Sequence, residues 1–141
     1  MIIKQLSVFM ENRVGVINEV TSILSKNGVN MQAFSVADGA EFGILRLIVS
    51  DLELAHKVLE EASYRVKISD VVCIKLPNVA GALSVVLETL AKRDVFIEYM
   101  YAFSEGEAAS TIIRPTNVTL CEEILQANRS EIQAKSDLYT F

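Results

Sequence analysis

A shift of 66 positions carries one half of this 141-residue chain onto the other without a gap: Asn12 and Gly15 fall on Asn78 and Gly81, and Asp51-Leu52 on Asn117-Val118. A period of that length is too long for a solenoid unit and suits a small domain, so two copies of one fold in tandem are expected, over residues 1–69 and 70–141. Units this small seldom draw more than about 3–5 kcal/mol from a single core. The halves are therefore expected to pack on each other or on a second chain. With 51% hydrophobic residues, the chain also has apolar side chains to spare for an interface.

Periodicity gives each copy the same six elements. The run Ile3 to Met10 is rich in β-branched and apolar residues and stops at Glu11-Asn12-Arg13, as a strand would. From Gly15 onward, Val16, Val20, Ile23 and Leu24 recur at helical spacing until Asn27-Gly28. Strands are expected over 29–37 and 42–49, joined at Asp38-Gly39. Ser50 and Glu53 read as a capping box for a second helix striped with Leu52, Ala55, Val58, Leu59 and Ala62, and Tyr64 to Ile68 as a short last strand. The second copy reads as strand 71–76, helix 82–92, strands 95–103 and 108–114, helix 118–127 and strand 132–135. Both apolar helix faces of a βαββαβ unit must cover one side of one sheet. The fold expected is thus α+β: two tandem ferredoxin-like sandwiches with antiparallel sheets.

Several functions are excluded by what such a fold would need. The net charge is −5 with no block of like charges, which argues against nucleic acid and against anionic membranes. No secretion signal or run of about 18 apolar residues is visible, so a cytoplasmic protein is expected. Cys73 and Cys121 sit in apolar patterns and read as small core residues, not as a disulfide. His56 is the single histidine; it has no partner at metal-ligand spacing and no set of nucleophile and base can be built without it. The chain is therefore expected to be no enzyme, and to hold no metal and no cofactor.

The positive signal is the pair of loops Asn12-Arg13-Val14-Gly15 and Asn78-Val79-Ala80-Gly81, each placed where a strand gives way to a helix. A helix N-terminus offers unpaired N–H groups and partial positive charge, and glycine permits close approach, so a carboxylate suits the place. The alternative stands beside it: the asparagines cap helices or turns and the glycines relieve crowding.

Asn12-Arg13-Val14-Gly15-Val16-Ile17, followed after one helix by Asn27-Gly28-Val29-Asn30-Met31, resembles the signature of the ACT domain, whose pattern reads Asn-Arg-Pro-Gly-Val-Leu and then Gly-hydrophobic-Asn-Ile. Asn78-Val79-Ala80-Gly81-Ala82-Leu83 and Asp94-Val95-Phe96-Ile97 are similar to it more loosely, and together the two copies span essentially the whole chain. The resemblance implies a small-molecule site, commonly for an amino acid, where the loop before the first helix of one domain faces the second strand of its neighbour. Carried over, the loop residues are Asn12, Arg13, Val14, Gly15, Val16 and Ile17, with Asn30, Met31 and Gln32 opposite. The second set is Asn78, Val79, Ala80, Gly81, Ala82 and Leu83, with Phe96, Ile97 and Glu98. Val14 and Ala80 replace the family's proline, and Phe96 stands where the first copy has Asn30, so two unequal sites are expected.

The function implied is that of a non-enzymatic, amino-acid-binding regulator that senses a metabolite through its differential affinity for two arrangements. The alternative is a regulatory or interaction subunit of an amino-acid biosynthetic enzyme, with a role in assembly and no working ligand site. A homodimer is expected, because apolar strands at 29–36 and 95–103 would otherwise leave open edges.

Overall fold

The computed structural model describes residues 1–137 and resolves two compact units, one of Lys4–Ser69 and one running from Asp70 onward that also takes in Met1–Ile3. The first unit is built from β1 (Ile2–Glu11), α1 (Val16–Lys26), β2 (Met31–Ala37), β3 (Phe42–Val49), α2 (Leu52–Glu61) and the opening of β4 (Arg65–Pro77). Its strands lie in the order β2-β3-β1-β4. β3 is antiparallel to β1, with Leu6 opposite Leu47 and Val8 opposite Leu45, and antiparallel to β2, with Phe34 opposite Leu47. Alternation along β1 turns Leu6, Val8 and Met10 inward, where they meet Val16, Val20 and Leu24 of α1 and Ala55 and Leu59 of α2. Each such leucine or valine contributes about 1.5–3 kcal/mol by leaving water.

The second unit follows the same plan with the remainder of β4, α3 (Ala82–Ala91), β5 (Ile97–Glu105), β6 (Ala108–Pro115) and α4 (Val118–Ala127). β6 is antiparallel to both β4 and β5. The core repeats position by position: Val72, Leu76, Ala82, Val86, Leu90, Ile113, Cys121 and Leu125 stand for Leu6, Met10, Val16, Val20, Leu24, Leu47, Ala55 and Leu59. The closure of the first helix repeats as well. After α1, Gly28 N–H bonds Ser25 C=O at 3.0 Å and Val29 N–H bonds Leu24 C=O at 2.9 Å; after α3, Asp94 and Val95 do the same to Ala91 and Leu90, both at 3.1 Å. This is the two-bond closure of a Schellman motif, and Asp94, like Gly28, takes positive φ to make it.

Three expectations need correcting. The strand expected at 132–135 is a helix, α5 (Arg129–Asp137), whose Ile132 enters the second core. The strands expected at 64–68 and 71–76 are one: β4 runs through Ser69-Asp70 without a turn, because β-branched residues flank the pair closely on both sides, Val66 and Ile68 before it and Val71 and Val72 after it, with no glycine or proline before Pro77. The cap of α2 is Asp51 and not Ser50. Asp51 Oδ1 accepts the Leu54 N–H at 3.1 Å, while Ser50 Oγ accepts the Asn30 N–H at 2.9 Å.

Beside β4 in the second unit lies the start of β1. Met1 and Cys73 exchange both backbone bonds, at 2.8 and 3.0 Å, as a hydrogen-bonded antiparallel pair does.

Candidate functional site

The four helices that follow a strand begin in two ways. α2 and α4 are capped by side chains, Asp51 accepting from Leu54 N–H and Asn117 from Leu120 N–H at 3.0 Å. α1 and α3 begin at Gly15 and Gly81, with φ of 87° and 88°, and neither has a side-chain cap bond. A left-handed residue at the N-cap is costly for anything but glycine. The sequence thus keeps glycine where serine, threonine, aspartate or asparagine would supply a side-chain acceptor for a first-turn N–H, a gain of about a few tenths of a kcal/mol over glycine. A Cβ on Gly15 would meet nothing within 4 Å, so no neighbour among the described residues demands the glycine.

The asparagines of the two loops hold the loops themselves. Asn12 Nδ2 donates to Gly39 C=O at 2.6 Å and its backbone N–H to Glu41 C=O at 3.1 Å. In the second unit Asn78 Nδ2 donates to Gly106 C=O at 3.2 Å and its N–H to Glu107 C=O at 2.7 Å. Both side chains therefore tie the strand–helix loop to the facing hairpin turn, and neither caps a helix.

Val14 is fully exposed and Ala80 exposed, while Val79 and Leu83 pack against the second core. Val16 and Ala82 are buried core residues, so little of either side chain is open to a ligand. Ile17 is 43% exposed. Arg13 is ion-paired with Glu19, which raises its pKa through the hydrogen bond to that carboxylate. Glu19 also accepts from the Tyr64 hydroxyl at 3.4 Å, and burial followed by the Glu19 charge pushes the Tyr64 pKa up.

Asn30 and Gln32 are exposed and Met31 packs on the first core. Phe96 is 66% exposed, Ile97 packs on the second core, and Glu98 pairs with Arg114 at 3.5 Å. The backbone is equivalent at the two positions: Ser50 N–H bonds Asn30 C=O at 3.0 Å and Thr116 N–H bonds Phe96 C=O at 3.1 Å.

Within one unit the loop and the strand residues do not meet. The eleven residues of α1 separate Gly15 from Asn30 by about 16 Å of helix. A site using both sets needs two domains.

Among the described residues no three His, Cys, Asp or Glu side chains are grouped as metal ligands, and no helix is long and apolar enough to cross a membrane. A feature that periodicity did not single out is a cleft in the first unit. It lies beside Phe9, Glu11, Arg13, Glu19, Tyr64 and Arg65. Its signal in the sequence lay in the unlike pairs of the repeat, Arg13 against Val79, Glu19 against Val85 and Tyr64 against Ser130.

The model of an ACT domain pair matches residues 1–141. No curated protein matches the chain. Among solved structures, protein BT0572 from Bacteroides thetaiotaomicron is 47% identical, with 92% of this chain and 90% of that one covered and a TM-score of 0.87. The regulatory subunit of aspartate kinase from Thermus thermophilus, in its ligand-free form, shares the fold at 12% identity, with 90% and 94% covered and a TM-score of 0.67. That from Thermus flavus does so at 17% identity, with 92% and 94% covered and a TM-score of 0.61. A match over its whole length makes this chain a member of the ACT domain pair family.

Proposed function

We propose that the chain is a non-enzymatic regulator that binds an amino acid at the N-termini of α1 and α3. The observation that carries this is the contrast in helix starts. In both copies the second helix has its side-chain cap, and in both copies the first helix begins at a left-handed glycine with none. The repeat thus keeps a costlier start twice, at the position where free N–H groups and the helix dipole favour a carboxylate. The ammonium of the ligand would be held by carbonyl oxygens and by the strand residues of a neighbouring ACT domain: Asn30, Met31 and Gln32, or Phe96, Ile97 and Glu98. The first set offers an amide side chain where the second offers a ring, so the two sites differ in strength and in the side chain they prefer.

Association with a second copy is part of this reading. β2 is bonded to β3 on one side only, and Phe34 and Val36 along it are 63% and 50% exposed. Open apolar edges of this kind are normally covered. Sedimentation should give a mass of two chains.

The test is a melting-temperature panel over the common amino acids. A ligand at about 100 times its Kd adds about 2.7 kcal/mol, which moves the transition by several degrees. Gly15→Ala places a methyl group over the amides of the first site, and Gly81→Ala should do so at the second. Each should remove the shift carried by its own copy and lower the basal stability by about 1 kcal/mol for the strained φ. A flat panel across all the amino acids would sink the proposal.

The same fold in the Thermus regulatory subunits gives the alternative of a regulatory subunit, in which the domains serve assembly. Capture of a biosynthetic enzyme together with a flat ligand panel would favour it.

A further inference from the structure

In the unit Lys4–Ser69 a cleft of about 640 Å³ opens between the end of β1, the first turns of α1 and the junction of α2 with β4. That is within the range of small-ligand sites, about 300–1,000 Å³. Phe9, Val16 and Ile23 give it apolar walls. The Arg65 guanidinium stands over the Phe9 ring, 5.5 Å from its centroid. A guanidinium held over a ring keeps its in-plane N–H groups for a carboxylate, which it grips with two parallel bonds. Glu11 lines the same cleft, and beyond it Arg13, Glu19 and Tyr64 are joined to one another by an ion pair and a hydrogen bond.

The fold does not require this arrangement. Sixty-six residues on, Phe9, Arg13, Glu19, Tyr64 and Arg65 become Lys75, Val79, Val85, Ser130 and Glu131, and the last two lie on α5. Both aromatic rings and both arginines are confined to the first copy. An aromatic wall flanked by one cation and one anion matches a molecule that carries both charges on one carbon and an apolar group beside them.

We propose that this cleft binds a free amino acid with an aromatic or large aliphatic side chain. The side chain lies against Phe9, the carboxylate on Arg65 and the ammonium on Glu11. The proposal deepens the amino-acid-binding reading and rests on it for the class of ligand, but its two charged contacts, Arg65 and Glu11, lie outside both glycine loops.

The experiment is calorimetric titration of the full chain with L-phenylalanine, with phenethylamine and N-acetyl-L-phenylalanine as probes lacking the carboxylate or the ammonium. L-phenylalanine should bind, each of the other two at least tenfold more weakly. Arg65→Gln and Glu11→Gln, both at exposed positions, should each weaken L-phenylalanine tenfold or more, with melting temperatures of the free variants within a degree or two of the parent. Binding lost in Arg65→Gln and retained in Gly15→Ala and Gly81→Ala upholds the cleft and removes the loops as the site. Binding lost in a glycine variant and unchanged in Arg65→Gln overturns the cleft and leaves the loop reading standing. No binding of L-phenylalanine to the parent chain also overturns the cleft, whatever other amino acids do in the melting panel.

Discussion

Ser63 and Arg129 follow equivalent helices at equivalent positions of the repeat, and the chain takes opposite courses after them. At Ser63 the backbone enters positive φ, Ser63 and Tyr64 bond back to Glu60 and Leu59 at 2.9 and 3.0 Å, α2 closes, and β4 begins. At Asn128 the N–H still bonds Ile124, Ile132 bonds back to Asn128, and the chain continues as α5. The reason lies in the next few residues. Arg65-Val66-Lys67-Ile68 alternates polar with β-branched, which suits a strand at the border of a core. Arg129-Ser130-Glu131-Ile132-Gln133-Ala134-Lys135 is made of good helix formers with one large apolar residue, and Glu131 and Lys135 pair at 2.7 Å one turn apart. One conserved architecture therefore tolerates a strand or a helix at its last position, provided one apolar side chain reaches the core from it.

Ile132 should be that side chain in the second unit, since it is 5% exposed and lies in the core with Val85, Leu90 and Leu125. Ile132→Ala should cost about 2–4 kcal/mol in chemical denaturation. Val66→Ala, at the half-buried counterpart, should cost about 1 kcal/mol. Equal losses would mean that α5 lies on the second core without anchoring to it.

The two halves of the repeat can be compared again at their capped helices, with a smaller effect. Asp51→Ala and Asn117→Ala each remove one side-chain acceptor from a first-turn N–H, and each should cost about 1 kcal/mol. Ser50→Ala distinguishes the observed cap from the one suggested by the pattern Ser-x-x-Glu. It should leave α2 intact and loosen only the link to Asn30, which hydrogen exchange at the Asn30 and Leu54 amides would separate. A loss of Leu54 protection in Ser50→Ala and not in Asp51→Ala would reverse the assignment.

These comparisons also mark what the sequence could reveal. Strand, helix, strand, strand, helix was legible in both copies because the hydrophobic period changes cleanly from Ile3–Met10 to Val16–Leu24 and again at Phe42. The last element of the second copy is not legible from the register of the repeat, because Ile132-Gln133-Ala134-Lys135 has no strand pattern of its own. The continuity of β4 is likewise not legible from the repeat, whose boundary at Ser69-Asp70 suggests a turn although neither glycine nor proline stands there. At the site, the glycines were legible as a pair, but the role of Asn12 and Asn78 was not. Their partners, Gly39 and Gly106, lie on hairpin turns whose approach to the loop is set by the sheet register, which no local pattern encodes.

The smallest difference between the cores is the pair Ala55 and Cys121, both fully buried at the same position of the second helix. Burial, then the nearby Glu122 carboxylate, pushes the Cys121 thiol up to about 11. The thiolate is the reactive form, so at pH 8 folded Cys121 is almost wholly protonated as well as enclosed. Cys73, in β4 and half-buried, is also raised by burial, but the positive charge of the N-terminus opposes this and the side chain is nearer to solvent. Iodoacetamide at pH 8 should therefore label Cys73 first, and Cys121 only at the rate at which the second unit opens, as read by peptide mass. Cys121→Ala restores the residue of the first copy and should cost no more than about 1 kcal/mol, because little volume is removed. It should also leave the slow phase of labelling empty. Rapid labelling of Cys121 in the native chain would mean that α4 opens more readily than α2, and that the two cores, alike in their residues, differ in how firmly they hold.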